Sequence, residues 1–167
     1  MWAHKNHIAV LKAVKILKTE GTKDLQVVFS GKEVDYRNPA FFGELKNYIT
    51  ENGIEDCVRF LGFIDREDQL QLMNNSISVI QPSLFEGWST VIEDAKSMGQ
   101  YVIASNLEVH QEQLLNNCVF FNPSDANELA KIMKCFIDKP PIKAKGDYVN
   151  NISQFGKIFL GIAKDAN

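Results

Sequence analysis

The stretch QPSLFEGWSTVIEDAKSMGQYVIAS, from Gln81 to Ser105, decides the fold. The apolar run Ile77 to Ile80 that leads into it reads as a short buried strand, and Pro-Ser-x-x-Glu-Gly as a loop. A helix follows from about Ser89, then a second apolar strand from Tyr101 to Ala104. Two strands joined by a helix imply a parallel pair, because a parallel connection has to cross over the sheet. Open parallel sheets bind ligands just outside the C-terminal ends of their strands. Glu86 and a helix start arrive together at that edge. Unpaired N–H groups and a partial positive charge there suit an anion such as phosphate.

Outward from this stretch, helix and strand alternate. Val10, Val14 and Leu17 recur at helical spacing within residues 8 to 19, with Leu11 on the flank and Gly21 as a C-cap. Leu25 to Phe29 reads as a strand ending in Ser30-Gly31. Phe42, Leu45 and Ile49 mark a second helix closed by Gly53. Val58, Phe60 and Leu61 form the next strand before Gly62-Phe63. Asp65 is placed to cap a short helix reaching about Asn74. After the opening stretch come a strand at Val119 to Phe121 and a capping pair, Asp125 with Glu128. Leu129, Ile132, Met133 and Phe136 then lie along one helical face. The pattern predicts an α/β fold: a Rossmann-like, doubly wound parallel sheet flanked by helices. Residues 149 to 164 add an amphipathic helix through Ile152, Phe155, Phe159 and Ile162.

The chain has 167 residues, which fits one domain. A formal charge of −3 offers no general nucleic-acid footprint, and no apolar run is long enough for a membrane span. Cys57, Cys118 and Cys135 are odd in number, widely spaced and free of any Cys-x-x-Cys, so they read as buried thiols of a reducing compartment. With no signal-peptide pattern, the expected location is cytoplasmic. A doubly wound domain normally begins on a central strand, whereas this sequence opens on Met1 to His7 and a helix. Either the sheet is one strand short or the chain is a piece of something longer; the second reading is preferred.

The residues also narrow the chemistry. Gly87 leaves the backbone beside Glu86 open, so that carboxylate can meet a ligand hydroxyl; the alternative is a solvated loop glutamate. Ser89 or Thr90 is the expected N-cap, and Thr90-x-x-Glu93 fits a capping box. Asp94, four residues after Thr90, shares that helix face. Lys5 is the basic residue best placed for a diphosphate. His4 and His7 lack a third ligand, so no metal is expected from them. His110 with Glu112 reads mainly as loop surface, and Phe63 and Trp88 as packed core or as covers for a ligand face. No Gly-x-x-x-x-Gly-Lys-Ser/Thr, Gly-x-Gly-x-x-Gly or Gly-x-Ser-x-Gly pattern is present, which removes the usual ATPase, dinucleotide and acyl-transfer readings. A phosphorylation receiver domain would need paired aspartates near the first strand and a lysine where Ser105 stands.

Together, Glu86-Gly87-Trp88-Ser89-Thr90 through Asp94-Ala95, Met98-Gly99 and Val102 to Ser105 resemble the donor-binding domain of the retaining glycosyltransferases of family four, which have the two-domain GT-B fold. Lys5 within His4 to His7, Ser30-Gly31, Leu61 to Ile64, and Val109-His110-x-Glu112-Gln113 extend the resemblance over most of the chain. The resemblance implies that Glu86 bonds donor-sugar hydroxyls as the catalytic carboxylate and that Gly87, Trp88, Ser89 and Thr90 hold the diphosphate. It implies that Asp94 accepts from the ribose and that Lys5 neutralises the leaving diphosphate. It implies that Gly31, after the first strand, also belongs to the donor-binding residues, and that the backbone around Phe63 and Ile64 meets the base. The donor substrate would be a nucleoside diphosphate sugar, with no metal cofactor and with an acceptor domain as partner. Asp94 is one methylene shorter than the glutamate usual at that position. The competing reading is a non-catalytic nucleotide-binding or interaction module of the same fold.

Overall fold

The computed structural model describes residues 1–143 and, beyond them, residues 153, 154, 156–158, 160, 161 and 164. Those later residues are helical. Ile152, Phe155, Phe159 and Ile162, on which the terminal amphipathic helix was expected to rest, lie outside the described residues.

After a 3-10 turn at Ala3–Lys5 the order is α1 (His7–Thr19), β1 (Val27–Phe29), α2 (Phe41–Glu51), a second 3-10 turn (Glu55–Cys57), β2 (Val58–Phe60), α3 (Arg66–Asn75) and β3 (Val79–Gln81). There follow α4 (Thr90–Ser97), β4 (Val102–Ser105), α5 (Glu108–Gln113), β5 (Cys118–Phe121) and α6 (Ala126–Asp138). Every strand pairing is parallel, with Val27 opposite Val58, Val79 opposite Val102 and Val102 opposite Cys118.

Alternation along the strands puts a hydrophobic core on each face. Ile103 and Phe121 join Val10, Leu11, Val14 and Leu17 of α1, Leu45 of α2 and Leu129 and Met133 of α6. Val102 and Ala104 turn the other way, toward Met73 of α3 and Ile92 and Ala95 of α4. This is the doubly wound arrangement, with β4 buried throughout.

Among the described residues the sheet is not continuous. One ladder contains β2 and β1, the other β3, β4 and β5, and β1 does not pair with β3. A cavity of about 620 Å³ lies between those two strands, lined by residues 24–30 on one side and 75–83 on the other.

Three local readings change. Residues 108–113 form a helix that buries His110 completely, so His110 is core and not loop surface. Its Nδ1 meets the Ser105 carbonyl at 2.9 Å, while its Nε2 is buried without a partner among the described residues. Thr90 is the first helical residue and Ser89 the cap, with Ser89 Oγ accepting from the Ile92 N–H. The Thr90–Glu93 capping box therefore does not form, and Glu93 instead accepts from Lys96 and Gln113. Of the cysteines only Cys57 is buried; Cys135 lies on the exposed side of α6. Among the described residues no helix is long and apolar enough to cross a membrane.

Candidate functional site

The loop after β3 closes against the start of the chain. Asn6 occupies a left-handed conformation (φ 55°), which asparagine tolerates better than most residues, and its side chain is buried. Its Nδ2 donates to the carbonyls of Pro82 and Pro123, each at 3.0 Å. The Leu84 N–H donates to the His4 carbonyl at 2.8 Å. These bonds fasten the turn before α1 to the loops that follow β3 and β5. Sequence spacing gave Asn6 no such role, because its partners are distant backbone carbonyls.

Lys5 is thereby brought to Glu86. Lys5 Nζ donates to Glu86 Oε1, and the Glu86 side chain is only 8% exposed. The same oxygen accepts from Gln81 Nε2 and from Ser83 Oγ, both at 2.8 Å. Burial pushes the Glu86 carboxyl up, but the bonds from Lys5, Ser83 and Gln81 outweigh it and hold the group below the usual range. Glu86 is a fixed, ionised carboxylate, not a solvated loop glutamate. Beside it is an open depression of about 340 Å³, lined by Leu84, Phe85, Glu86 and residues 107–109.

A second layer supports the first. Ser105 Oγ donates to the Ser83 carbonyl at 2.6 Å and lies 3.1 Å from His110 Nδ1. Buried Gln113 brackets Ser89, accepting from its N–H and donating to its C=O, both at 3.1 Å. The Ser89 N–H is thus already used, which corrects the expectation that it holds a ligand. The N–H groups of Gly87, Trp88 and Thr90 make no hydrogen bond among the described residues and remain open at the start of α4.

Asp94 sits one turn further along, and Arg66 at the start of α3 donates to its Oδ1. Asp94 Oδ2 is buried and finds no partner among the described residues. Arg66 carried no signal in the sequence, since only the packing of α3 beside α4 brings it there. Phe63 (75% exposed) and Trp88 (54%) are not core; both side chains are open to solvent. Ile64 is half-buried. The Gly31 N–H donates to the Gly62 carbonyl at 2.7 Å, tying the loops after β1 and β2. Both glycines have positive φ (124° and 66°), which makes that close approach possible. Thus Lys5, Glu86 and the loop from Gly87 to Thr90 come together, with Asp94 one turn into the same helix, while Gly31, Phe63 and Ile64 belong to the neighbouring pair of loops. No group of three or more His, Cys, Asp or Glu side chains suited to a metal ion forms among the described residues.

At the strand ends of this doubly wound α/β domain an ionised carboxylate, a lysine and open helix-start N–H groups lie together, an arrangement chemically suited to an anion. The chain belongs to the glycosyl transferases group 1 family, whose model matches residues 2–155. Among solved structures it resembles Alr3699/HepE of Anabaena, in complex with UDP and glucose, with a TM-score of 0.79 at 22% identity over 96% of this chain and 46% of that one. A glycosyltransferase from Rickettsia africae gives a TM-score of 0.73 at 26% identity, covering 87% and 38% of the two chains. The C-terminal domain of LpcC, a group 1 family glycosyl transferase of Francisella tularensis, gives 0.72 at 21%, covering 83% and 72%. The chain therefore spans less than half the length of the first of these relatives. No curated protein sequence matches it.

Proposed function

We propose that the chain is the donor-binding part of a retaining, two-domain glycosyltransferase that takes a hexose from a nucleoside diphosphate sugar and passes it to a glycan-type acceptor. The Lys5–Glu86 ion pair beside the start of α4 carries this reading. A carboxylate held ionised in a nearly dry setting, next to a cation and free N–H groups, matches a ligand with hydroxyls at one end and a diphosphate at the other.

In this scheme the donor sugar lies over Glu86, which accepts hydrogen bonds from its hydroxyls. The diphosphate lies against the N–H groups of Gly87, Trp88 and Thr90, with Lys5 turning from Glu86 toward it. As the bond from the anomeric carbon to the diphosphate oxygen breaks, negative charge gathers on the leaving group. Lys5 and the α4 terminus offset that charge without a metal ion. Asp94, whose buried Oδ2 has no partner among the described residues, turns that oxygen outward to accept from the ribose, and the exposed faces of Phe63 and Trp88 cover the base and sugar. The acceptor would bind on a second domain, in keeping with relatives about twice as long.

The test is turnover of the full-length enzyme carrying Glu86→Ala. A fall of about 100-fold or more is expected from the loss of a group that orients the reacting sugar. Unchanged turnover would contradict the role of Glu86 and favour a non-catalytic module.

A further inference from the structure

Helix α5 has six residues, too few for a helix to persist on its own hydrogen bonds. Its place against the sheet is set by what its side chains reach. His110 and Gln113 are three residues apart, so they share a helix face, and both are buried. They reach different halves of the candidate site. Gln113 serves the start of α4: its Oε1 accepts from the Ser89 N–H at 3.1 Å. Its Nε2 donates to the Ser89 carbonyl at 3.1 Å and to Glu93 Oε1 at 2.9 Å. His110 reaches the end of β4 instead, and through it the loop that carries Glu86.

A carbonyl only accepts, so the 2.9 Å contact with the Ser105 carbonyl puts the His110 proton on Nδ1. The same N–H lies 3.1 Å from Ser105 Oγ. That hydroxyl donates in turn to the Ser83 carbonyl at 2.6 Å, and Ser83 Oγ donates to Glu86 Oε1 at 2.8 Å. His110, Ser105 and Ser83 are all fully buried. The Ser83 peptide is held between two anchors from the start of the chain: the Pro82 carbonyl accepts from Asn6, and the Leu84 N–H donates to the His4 carbonyl. Ser105 supplies the third anchor, from the β4 side. We propose that His110 is a positioning residue for Glu86. Through Ser105 it fixes the Ser83 peptide, and with it the hydroxyl that holds the carboxylate, whereas Gln113 fixes the start of α4. One short helix thus supports the two ends of the site through separate side chains. The consequence for sugar transfer rests on the role proposed for Glu86; the geometry does not.

A second observation sets His110 apart from ordinary core. Its Nε2 is buried and has no partner among the described residues. A ring buried with one nitrogen unpaired fills the core less favourably than an apolar side chain of similar size. Local conflicts of this kind are expected where a side chain serves a site. Burial also lowers the His110 ring below its ordinary value, so it is neutral near pH 7 and its one N–H is the Nδ1 proton that meets Ser105.

The experiment reads the two halves separately, in the chain itself and without nucleotide. A carboxyl-carbon NMR titration follows Glu86, and hydrogen exchange follows the Ser89 N–H. In His110→Leu and in Ser105→Ala the proton affinity of Glu86 should rise about threefold or more as the bond from Ser83 weakens. Ser89 exchange should stay within about threefold of the parent in both. Gln113→Ala should do the reverse, speeding Ser89 exchange about tenfold or more while the Glu86 proton affinity stays within about twofold. Ser105→Ala removes a single oxygen and decides the question if His110→Leu does not fold. A Glu86 proton affinity unchanged in either folded variant would overturn the inference. So would Ser89 exchange accelerated as much as in Gln113→Ala, which describes a general loosening of α5. Neither measurement uses a nucleotide, so the inference can fail while the nucleotide reading stands. That reading fails separately, if Glu86→Ala leaves turnover of the full-length enzyme unchanged.

Discussion

Lys5 and Glu86, 81 residues apart in sequence, form an ion pair that joins the approach to α1 to the loop between β3 and α4. The pair decides the charge state of the site. Burial alone would raise the Glu86 carboxyl, and the hydrogen bond from Lys5 is the largest influence opposing it. Replacing Lys5 with methionine should therefore raise the Glu86 value, read by a carboxyl-carbon NMR titration. The wild-type group is depressed, so its stabilisation is present above the unfolded value of about 4.3 and is lost as pH falls through the folded one. A Glu86 titration unchanged by Lys5→Met would show that Ser83 and Gln81 suffice.

Gln113 is the residue whose removal should be felt most outside the ligand contacts. It satisfies both backbone groups of Ser89 and is itself buried. Gln113→Ala leaves a buried N–H and C=O unpaired and should cost about 2 kcal/mol in a denaturant titration. It should also weaken nucleotide binding by disordering the start of α4. Stability within about 0.5 kcal/mol of the parent would mean that water replaces the amide.

Asp94 and Arg66 separate structure from binding. Their ion pair is largely exposed on the arginine side, so breaking it should change stability little. Asp94→Ala should nevertheless lower nucleotide affinity about tenfold, equivalent to one lost hydrogen-bonded contact. Arg66→Ala, measured alongside, should leave binding within about threefold, because the arginine meets Oδ1 while Oδ2 has no partner among the described residues.

Acid should destabilise the domain through its buried histidines. His7 is lowered to about 4, chiefly by burial, with the positive N-terminus and Lys5 adding to it. The unfolded chain takes up that proton near pH 6.5, so stability is full above pH 6.5 and declines as pH falls toward 4. His110, lowered mainly by burial, acts in the same direction. Because the His7 ring retains some solvent contact, its share is on the order of 1 kcal/mol. Melting temperatures at pH 7 and pH 5 should differ less in His7→Gln than in the parent; an equal difference would place the pH dependence elsewhere.

Much of the fold was legible because apolar periodicity is local. Val10, Val14 and Leu17, or Leu129 and Met133, announce a buried helical face without knowledge of what covers it. The capping detail at Thr90 was not legible, since Glu93 is drawn to Lys96 and Gln113 by tertiary packing. His110 reads as polar in sequence and is core in structure, its Nδ1 paired with the Ser105 carbonyl, a contact that depends on the helix at residues 108–113 folding back on β4. Glu86 and Asp94 could be picked out by their places around a helix start. Their partners Lys5 and Arg66 required the chain to fold back, and the resemblance supplied only the first.

The central claim is that Lys5, Glu86 and the start of α4 form a nucleoside diphosphate site. Calorimetric titration of the chain with UDP, GDP and ADP, repeated on Lys5→Ala, tests it most directly, with UDP first because Alr3699/HepE was solved with that nucleotide. The account predicts saturable binding of one nucleotide, weakened about tenfold or more in Lys5→Ala through loss of a charge-assisted contact to phosphate. Binding of equal strength in the parent and in Lys5→Ala would contradict it.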